Sequence, residues 1–574
     1  FYPNNDLAAQ VIGYVGMDDA GLAGIERAFD QRLRGRPGKM LITMDALHRS
    51  VGRVEKNPEP GQNLVLTIDE DIQHIAEKEL EAAMEKTHAE AGTVVIQNPK
   101  TGEILALANR PTFNPNDSRG LDPKSLKNRA VSDIYEPGST FKMVTIAAAL
   151  EEKITNPDEV FDCQMGSIVV GGVRIHDWKP YGLLTVSQVL ERSSDVGAIK
   201  IAMRLGEDRM YKYIRSFGFG SQTGIELQGE TRGITKPVSR WSKMSIGAIS
   251  MGQEIGVSPL QLVSMTSSVA NDGLWTPARI VAGSTPVAQG RSAAAQMVVF
   301  HPGQQHRVLS PFTAAQMKKM LESVVLRGTG KNAILDGYTS AGKTGTAQKI
   351  NPVTHHYDRV KHIASFSGFA PVNNPAISVT VIIDSPVGEH HGGTIGAPIF
   401  ARIAQQVLEY MDVPHDIDVK NPQRRLLRAS AKPDEEMEGS PDHVGEEVAE
   451  NDNGEVGAPT VAAPAGSVRA AIVSAGYTAP ATVETLHAAS LVDATSRTFE
   501  QSIPLPTSGT VVLDTDSGKA VPSFLGKPVR TVIEESEKAG LEVDIFGSGV
   551  AKQQNPAPGA RLPAGGHVTV QFAR

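Results

Sequence analysis

The sequence predicts a multidomain α+β protein whose central domain is an antiparallel sheet covered by helices. Two pairs of apolar segments are each joined by a short turn that contains Asn and Pro, which is typical of antiparallel hairpins. Helical patterns lie between these hairpins and do not alternate with single strands, and this segregation favours the α+β class. The length of 574 residues corresponds to roughly three to four folding units.

The elements of the first and central modules follow from local patterns. A small N-terminal module is predicted over residues 1–60, because this segment ends in the breaker run Asn-Pro-Glu-Pro-Gly. Residues 63–68 alternate as a short strand, and Asp69 is placed to cap the next helix. Strands are predicted at 92–97 and 103–109, at 338–348, and at 365–370 and 377–383. Helices are predicted at 139–152, 185–204, 258–271, 312–326 and 396–411.

The central domain is predicted to span 61–414, because the composition changes after this point. Residues 415–517 are acidic and rich in Pro and Ala, so they cannot bury a core and indicate a flexible linker. An acidic tail that binds a partner is the alternative interpretation of the same segment. Residues 518–574 predict a compact C-terminal α+β module, with a helix at 529–541 and strands at 542–546 and 567–572.

The overall composition excludes several classes of protein. A net charge of −8 provides no basic surface for nucleic acid. The single cysteine, Cys163, excludes an intrachain disulfide framework and is expected to be a small buried side chain. No apolar run is long enough to span a bilayer. Because the chain starts at Phe1 without an initiator Met, we expect a fragment that was trimmed at its N-terminus. Any membrane anchor would then have been in the missing part.

Ser139 and Lys142 form a Ser-x-x-Lys pair directly after Pro137 and Gly138. Residues three apart lie on the same side of a helix, so the two side chains are expected to meet. A helix that begins at Ser139 would place unpaired backbone N–H groups where they stabilise an anion. The apolar neighbours of Lys142 are expected to favour its neutral amine, which could accept the serine proton.

A second tract, Lys343-Thr344-Gly345-Thr346, is predicted to lie on a strand. Its lysine offers a cation, and its two threonines offer hydroxyl groups, to a substrate carboxylate. Gly345 has no side chain, so a substrate backbone could lie along the strand edge. The backbone N–H groups of Thr346 and Ser139 would form an oxyanion hole.

Nucleotide binding is the alternative interpretation of this tract. Residues 337–344 match the phosphate-loop pattern Gly-x-x-x-x-Gly-Lys-Thr. A phosphate loop follows an apolar strand and requires a helix that begins at its lysine. Polar residues precede Gly337, and the run from Gly345 to Pro352 does not favour a helix. The context therefore favours an acyl-transfer site.

A third tract, Ser193-Ser194-Asp195-Val196-Gly197, completes a resemblance to a known family. Residues 1 to about 413 resemble class B penicillin-binding proteins, the monofunctional D,D-transpeptidases of peptidoglycan synthesis. Residues 521–574 resemble a PASTA domain. Shared segments of the larger match lie at 24–26, 67–69, 128–130, 250–253 and 365–371. The resemblance implies the fold shared by penicillin-binding transpeptidases and serine β-lactamases, with a partial N-terminal pedestal, or dimerisation, module.

The resemblance also implies a reaction and a location. Ser139 would attack the penultimate D-alanine of a stem pentapeptide, and an amine of a neighbouring stem peptide would resolve the acyl-enzyme. Ser193 would carry protons between Lys142 or Lys343 and the departing or attacking amine. β-Lactams would acylate Ser139, and no cofactor is implied. The family implies an enzyme anchored in the cytoplasmic membrane with its catalytic domain outside, and a membrane glycosyltransferase and division proteins as partners.

Asp195 departs from the family pattern, which has Asn at this place of Ser-x-Asn. An ionised carboxylate only accepts hydrogen bonds, whereas an amide also donates them. Asp195 could pair with Lys142 and hold it protonated, or the site could accommodate Asp with rearranged substrate contacts. A register one place later matches Ser-Asp-Asn in two places, but the following Val196 and Gly197 favour the first register.

A hydrolase and a non-catalytic binding protein remain as the two alternative classes of function. A β-lactamase or D,D-carboxypeptidase would share the Ser-x-x-Lys pair, but the Glu-x-x-Leu-Asn tract of class A β-lactamases is not found after Asp195. A non-catalytic penicillin sensor or scaffold would be consistent with Asp195.

Histidines form two adjacent pairs and invite a metal interpretation. The candidates are His355-His356, His390-His391 and His362. Both pairs lie in turn-rich stretches without a nearby cysteine and without His-x-x-x-His spacing. We therefore expect polar loop residues at the rim of the cleft and no metal site.

Overall fold

The computed structural model describes most of the chain and divides it into two units. The described residues are 1–44, 50–117, 122–286, 297–300, 303–350, 356–417, 446–447, 519–539, 541–547, 550–562 and 567–573. One unit comprises residues 1–36 and 59–498, and the other comprises residues 37–58 and 499–574. All but five residues of the predicted linker at 415–517 lie outside the described residues, so its flexibility stays a prediction.

The centre of the first unit is an antiparallel five-stranded sheet. Its strands, in spatial order, are β14 (Ala341–Ile350), β15 (Tyr357–Ala370), β16 (Ile377–Asp384), β4 (Ala91–Gln97) and β5 (Ile104–Arg110). Both predicted hairpins are confirmed, as is the predicted strand that carries Lys343. Because β14 comes first in this order, one side of it is an edge of the sheet.

Helices cover both faces of this sheet. The long helices α4 (Glu70–Thr87) and α14 (Gly396–Tyr410) share a core with Val94 and Ile96 of β4. Val95 points to the opposite face, because successive strand side chains alternate, and there it shares a core with residues of α12 (Pro259–Ala270). The helices-on-sheet arrangement predicted from the sequence is confirmed.

Further helices surround this sheet in the same unit. The short N-terminal helices are α1 (Ala9–Ile12), α2 (Gly24–Ala28) and α3 (Asp30–Leu33). The other helices are α5 (Pro123–Leu126), α6 (Arg129–Ser132), α7 (Lys142–Glu151), α8 (Val186–Arg192), α9 (Asp195–Leu205), α10 (Glu207–Ser216), α11 (Ser245–Ser250) and α13 (Pro311–Arg327).

Small sheets complete the first unit. Strand β11 (Val281–Pro286) lies between β12 (Val298–Val299) and β3 (Gln62–Leu66), and β8 (Val173–His176) lies between β7 (Ser167–Val170) and β17 (Glu446–Glu447). The remaining pairs are β6 (Val160–Asp162) with β9 (Leu183–Thr185) and β10 (Leu274–Trp275) with β13 (His306–Arg307).

Two predicted helices differ from the observed ones at the positions that matter for the site. The predicted helix 185–204 is two helices, α8 and α9, separated at Ser193 and Ser194. Ser193 adopts a left-handed conformation with φ of 60°, and the Ser194 side chain caps α9 by accepting a hydrogen bond from Gly197 N. A serine favours such a cap over a helix interior. The predicted helix 139–152 begins as a 3-10 turn, Gly138–Phe141, before α7.

The second unit contains two separate groups of described strands. Strands β1 (Lys39–Met44) and β2 (Ser50–Lys56) form an antiparallel pair. In the C-terminal part, helix α15 (Val529–Ala539) accompanies β18 (Lys519–Ala520), β19 (Glu542–Gly547), β20 (Val550–Asn555), β21 (Arg561–Leu562) and β22 (His567–Ala573). A small core of its own, which includes Phe524, Val532 and Val568, confirms a compact C-terminal module.

A membrane-spanning helix would need a long, continuous apolar run. Among the described residues, no helix combines the length and the apolar character needed to cross a bilayer.

We expect Asp69→Ala to lower the free energy of unfolding of the first unit by about 1 kcal/mol, the usual contribution of a helix cap. Asp69 accepts hydrogen bonds from Asp71 N and Ile72 N, both at 3.1 Å, at the start of α4. All three tryptophans, Trp178, Trp241 and Trp275, belong to this unit, so urea unfolding followed by tryptophan fluorescence reports on it.

Asp69→Asn is the matched control for the cap, because its amide oxygen can accept the same two hydrogen bonds. Equal urea midpoints for the alanine variant and the unmodified chain would contradict a stabilising role of this cap.

Candidate active site

The Ser139 and Lys142 side chains meet as their spacing predicts. In a 3-10 turn, residues three apart lie above one another. Lys142 Nζ is 2.6 Å from Ser139 Oγ, and both side chains are completely buried. The turn Gly138–Phe141 presents the serine hydroxyl beside the amine before α7 begins.

Ser193 joins this pair because the helix is broken at its position. Its left-handed backbone ends α8 and directs the hydroxyl toward the other two side chains. Ser193 Oγ is 2.8 Å from Ser139 Oγ and 3.1 Å from Lys142 Nζ. Lys142 Nζ also donates to the backbone oxygen of Ser193 at 2.7 Å. A continuous helix over 185–204 would not offer this carbonyl group, because helix carbonyls are used within the helix.

Lys343 reaches the same hydroxyl from β14. Its Nζ donates to Ser193 Oγ at 2.8 Å and lies 3.1 Å from Thr344 O. Ser193 Oγ therefore lies within hydrogen-bond distance of both lysines and of Ser139. The structure brings together five residues that the sequence singled out: Ser139, Lys142, Ser193, Asp195 and Lys343.

The two threonines of the strand tract are buried and hydrogen-bonded to neighbouring segments. Thr344 Oγ1 shares a hydrogen bond of 2.7 Å with Thr329 Oγ1, a residue that the sequence did not point to. Thr346 Oγ1 accepts from Gly392 N at 3.0 Å. Contacts of these hydroxyls with a substrate carboxylate stay a prediction.

Gly345 lies against the turn that carries Ser139. A Cβ atom at this position would come within 2.5 Å of Ser365 Oγ, 2.9 Å of Thr140 Cγ2 and 3.0 Å of Pro137 O. The space that the sequence assigned to a substrate backbone is thus partly filled by the protein itself. Glycine allows β14 and the nucleophile turn, residues 136–141, to touch.

The surroundings of Lys142 Nζ differ from the predicted apolar environment. The neighbouring side chains Phe141 and Met143 are buried in the core, but the amine itself is surrounded by oxygen atoms. Asp195 Oδ1 lies 2.7 Å from Lys142 Nζ. An adjacent carboxylate favours the ammonium form of a lysine, so the predicted ion pair is present in the structure.

Asp177 supports this tract and was not found in the sequence, where it lies in no recognisable motif. Its Oδ1 accepts hydrogen bonds from Asp195 N at 2.6 Å and Val196 N at 3.0 Å, and its Oδ2 accepts from Ser194 Oγ at 2.8 Å. Burial raises the pKa of Asp177, while these donors and the charge of Lys142 act to lower it. Asp177 holds the start of α9, and with it the break between the helices at Ser193.

Three of the histidines contact one another through their rings. The rings of His362 and His390 stack with their centroids 4.4 Å apart, and those of His390 and His391 are 4.3 Å apart. Burial lowers the pKa of His362. Across the described residues, no group of three or more His, Cys, Asp or Glu side chains is arranged to hold a metal ion. His355 lies outside the described residues.

Two other expectations can be compared with the structure. A phosphate loop would need a helix from Lys343, and this residue lies instead within β14. Cys163 is a buried free thiol, as expected, whose Sγ is 3.5 Å from Ser194 Oγ.

A buried Ser-x-x-Lys pair, a second serine and a strand lysine lie together on an α+β fold, which is the arrangement that the sequence predicts for a serine acyl-transfer site. Profiles of known families match the same parts of the chain. The penicillin-binding protein transpeptidase domain matches residues 92–405, the penicillin-binding protein dimerisation domain residues 1–66, and the PASTA domain residues 519–574. The chain belongs to the penicillin-binding protein transpeptidase family, in a class B arrangement with a C-terminal PASTA domain.

Characterised relatives are similar over most of the chain. Stage V sporulation protein D of Bacillus subtilis is 38% identical over 422 residues, which cover 72% of this chain and 64% of that protein. Peptidoglycan D,D-transpeptidase FtsI of Escherichia coli is 32% identical over 419 residues, which cover 72% of this chain and 68% of that protein. The chain spans slightly less than two thirds of the first three relatives, at 64%, 65% and 62% of their lengths.

A solved structure shares the fold of the matched part. Penicillin-binding protein 3 of Mycobacterium tuberculosis, complexed with aztreonam, superimposes with a TM-score of 0.65 at 33% identity. The match covers 73% of this chain and 92% of that one.

We expect Gly345→Ala to slow acylation by a labelled β-lactam by about tenfold or more, since a shift of about 1.4 kcal/mol in the barrier changes a rate tenfold. The added methyl group would push β14 away from the nucleophile turn. Gly182→Ala is the matched control, because its Cβ would meet only Met165 Sδ, at 3.7 Å. Equal acylation rates for the two variants would contradict the close packing of strand and turn.

Proposed function

We propose that this protein is a serine D,D-transpeptidase that cross-links peptidoglycan stem peptides. The observation that supports this most directly is the contact of Ser139 Oγ with Lys142 Nζ at 2.6 Å and with Ser193 Oγ at 2.8 Å. A nucleophile within hydrogen-bond reach of a base, which is itself held by a third group, is the arrangement that acyl transfer requires.

Acylation begins with Lys142 in its ion pair. Lys142 passes a proton across 2.7 Å to Asp195 Oδ1, and the neutral amine then accepts the proton of the Ser139 hydroxyl. Ser139 Oγ forms an ester bond with the carbonyl carbon of the penultimate D-alanine. As the peptide bond to the terminal D-alanine breaks, the proton passes from Lys142 through the Ser193 hydroxyl to the departing amine. The leaving group is free D-alanine, and Asp195 returns its proton to Lys142.

Deacylation uses the same groups in reverse order. Lys142 again passes a proton to Asp195 Oδ1, and its amine becomes neutral. An amine of a second stem peptide attacks the ester carbonyl and loses a proton through Ser193 to Lys142. The ester C–O bond breaks, Ser139 Oγ takes that proton back, and Asp195 returns its proton to Lys142. The product is a new amide bond between two stem peptides, and the enzyme regains its starting state.

Lys343 supplies the positive charge that holds the terminal carboxylate of the donor peptide. Its Nζ is buried and already lies beside the reacting serines. Thr344 and Thr346 would turn their hydroxyls from Thr329 and Gly392 toward that carboxylate. The oxyanion of the tetrahedral intermediate would accept from the backbone N–H groups of Ser139 and Thr346.

We infer that the protein acts in the cell envelope, in septal wall synthesis. Relatives named as a sporulation protein and as a peptidoglycan D,D-transpeptidase support a role in wall synthesis. The septal assignment is supported by the C-terminal PASTA domain, because this architecture resembles that of division and sporulation transpeptidases. Anchoring in the cytoplasmic membrane, a membrane glycosyltransferase and division proteins as partners belong to this proposal.

The assignment of domains along the chain is also part of the proposal. We assign residues 1–60 to the pedestal module, residues 61–414 to the catalytic domain, residues 415–517 to a linker and residues 518–574 to the PASTA domain. The family profiles at 1–66, 92–405 and 519–574 support these assignments.

We expect Ser139→Ala to abolish covalent labelling by a β-lactam, because the substitution removes the attacking oxygen. Intact-mass spectra recorded over hours after mixing would show a single long-lived adduct on the unmodified chain and none on the variant. Rapid loss of the adduct would indicate a hydrolase. No adduct on the unmodified chain would refute both enzymatic functions and favour a non-catalytic sensor.

We expect Asp195→Asn to retain acylation, within about tenfold of the unmodified chain. The amide removes the negative charge that favours the ammonium form of Lys142, and this offsets the loss of the proton acceptor. Second-order acylation rates measured across pH would show the effect. A loss of several orders of magnitude would mean that the carboxylate is integral to this site.

A further inference from the structure

We propose that Glu136 is a positioning residue that holds the nucleophile turn in its reactive geometry through the hydrogen bonds of its buried side chain. This inference rests on the proposed function, and it concerns a residue three positions before Ser139. The Glu136 side chain is buried, with 7% of its surface exposed.

Glu136 connects the nucleophile turn to two distant segments. Its Oε1 accepts a hydrogen bond from Glu254 N at 3.0 Å, in the loop after α11. The hydroxyl of Tyr357, the first residue of β15, donates to Oε2 at 3.0 Å and lies 3.3 Å from Oε1. One carboxyl group therefore ties together segments that are more than 100 residues apart, at sequence separations of 118 and 221.

Backbone hydrogen bonds hold the turn against the same loop. Gly138 N donates to Gly252 O at 3.1 Å. Tyr135 and Val257 exchange two hydrogen bonds, of 3.0 and 2.9 Å. Glu136 lies between these two attachments, so its side chain adds a tie within a segment that ends at Ser139.

A second carboxylate lies close to Glu136. Glu254 has a left-handed backbone with φ of 56°. Its Oε2 lies 3.2 Å from Lys236 Nζ and accepts from Ser245 Oγ at 2.9 Å. Lys236 thus compensates the charge of Glu254 directly. The hydrogen bonds to Glu136 come instead from a tyrosine hydroxyl and a backbone N–H, and both of these donors are uncharged.

Burial, together with the nearby charge of Glu254, raises the pKa of Glu136 to about 8. The hydrogen bonds from Tyr357 and Glu254 N and the charge of Lys236 act in the opposite direction. Because the folded pKa lies above the ordinary value of 4.5, the folded turn favours the neutral acid. Its contribution to stability is complete below about pH 4.5 and is lost as the pH rises through about 8.

Ionisation of Glu136 would weaken this arrangement. The carboxylate would be a buried charge that faces Glu254, and like charges repel strongly where water is excluded. The segment from Glu136 to Ser139 would then loosen, and Ser139 Oγ would lose its alignment with Lys142 Nζ. Positioning errors of about 1 Å at a reacting atom are enough to reduce a rate about 100-fold.

Acylation by a labelled β-lactam across pH provides the test, with the full chain. Glu136→Gln keeps the acceptor oxygen and the neutral charge. We expect its acylation rate to equal that of the unmodified chain within about threefold at pH 6.5. The ratio of variant to unmodified rate should rise about tenfold by pH 9, since about nine tenths of a group with a pKa of 8 is ionised there.

Glu136→Ala removes both acceptor atoms, and its acylation rate should fall about tenfold or more at pH 6.5. Glu77→Gln is the matched control, because Glu77 is equally buried, at 7% exposed, and contacts Ala8, Gln73 and Arg110. Its ratio to the unmodified rate should not change with pH.

The outcomes separate this inference from the proposed function. If the unmodified chain forms no adduct on Ser139, the proposed function fails first. If the adduct forms and the Glu136→Gln ratio is constant from pH 6.5 to 9, the positioning inference alone is wrong. The pH dependence of the Glu136→Gln ratio tests the positioning inference even if Glu136→Ala does not fold.

Discussion

The buried amine of Lys142 is the constraint on which the site depends. Removing an ammonium ion from water costs several kcal/mol unless nearby oxygen atoms replace its hydration. Those oxygens come from Ser139 in the same turn and from Ser193 and Asp195 at the break between two helices. The amine can be buried only when both segments are in place. The folding of the core and the assembly of the candidate site therefore depend on each other.

This requirement explains why regular structure is interrupted where the chemistry occurs. A regular helix through Ser193 would use the carbonyl that Lys142 needs, and it would remove the hydroxyl that lies between the two lysines. The left-handed turn at Ser193 is a local strain that Asp177 and the Ser194 cap hold in place. At Gly345, strand and turn approach so closely that a methyl group would separate them.

Buried carboxyl groups serve this site in two charge states. Asp195 lies within an ion pair and balances Lys142. Glu136 lies in a nearly dry environment next to another carboxylate and favours its neutral form. A buried charge requires an opposite charge nearby, whereas a neutral acid can connect backbone segments through hydrogen bonds without one. The same type of side chain thus balances a charge in one place and connects backbone segments in the other.

The sequence by itself determined the hairpins, the cap at Asp69, the strand that carries Lys343 and the three tracts of the site, because these depend on local patterns of polarity and turn residues. It did not reveal the break of the helix at Ser193, since the apolar pattern continues through it. It also did not reveal Asp177 or the partners of Glu136, which lie in no motif. Only the tertiary structure decided which charges meet, because the distance between segments far apart in the chain is set by packing and not by their local sequence.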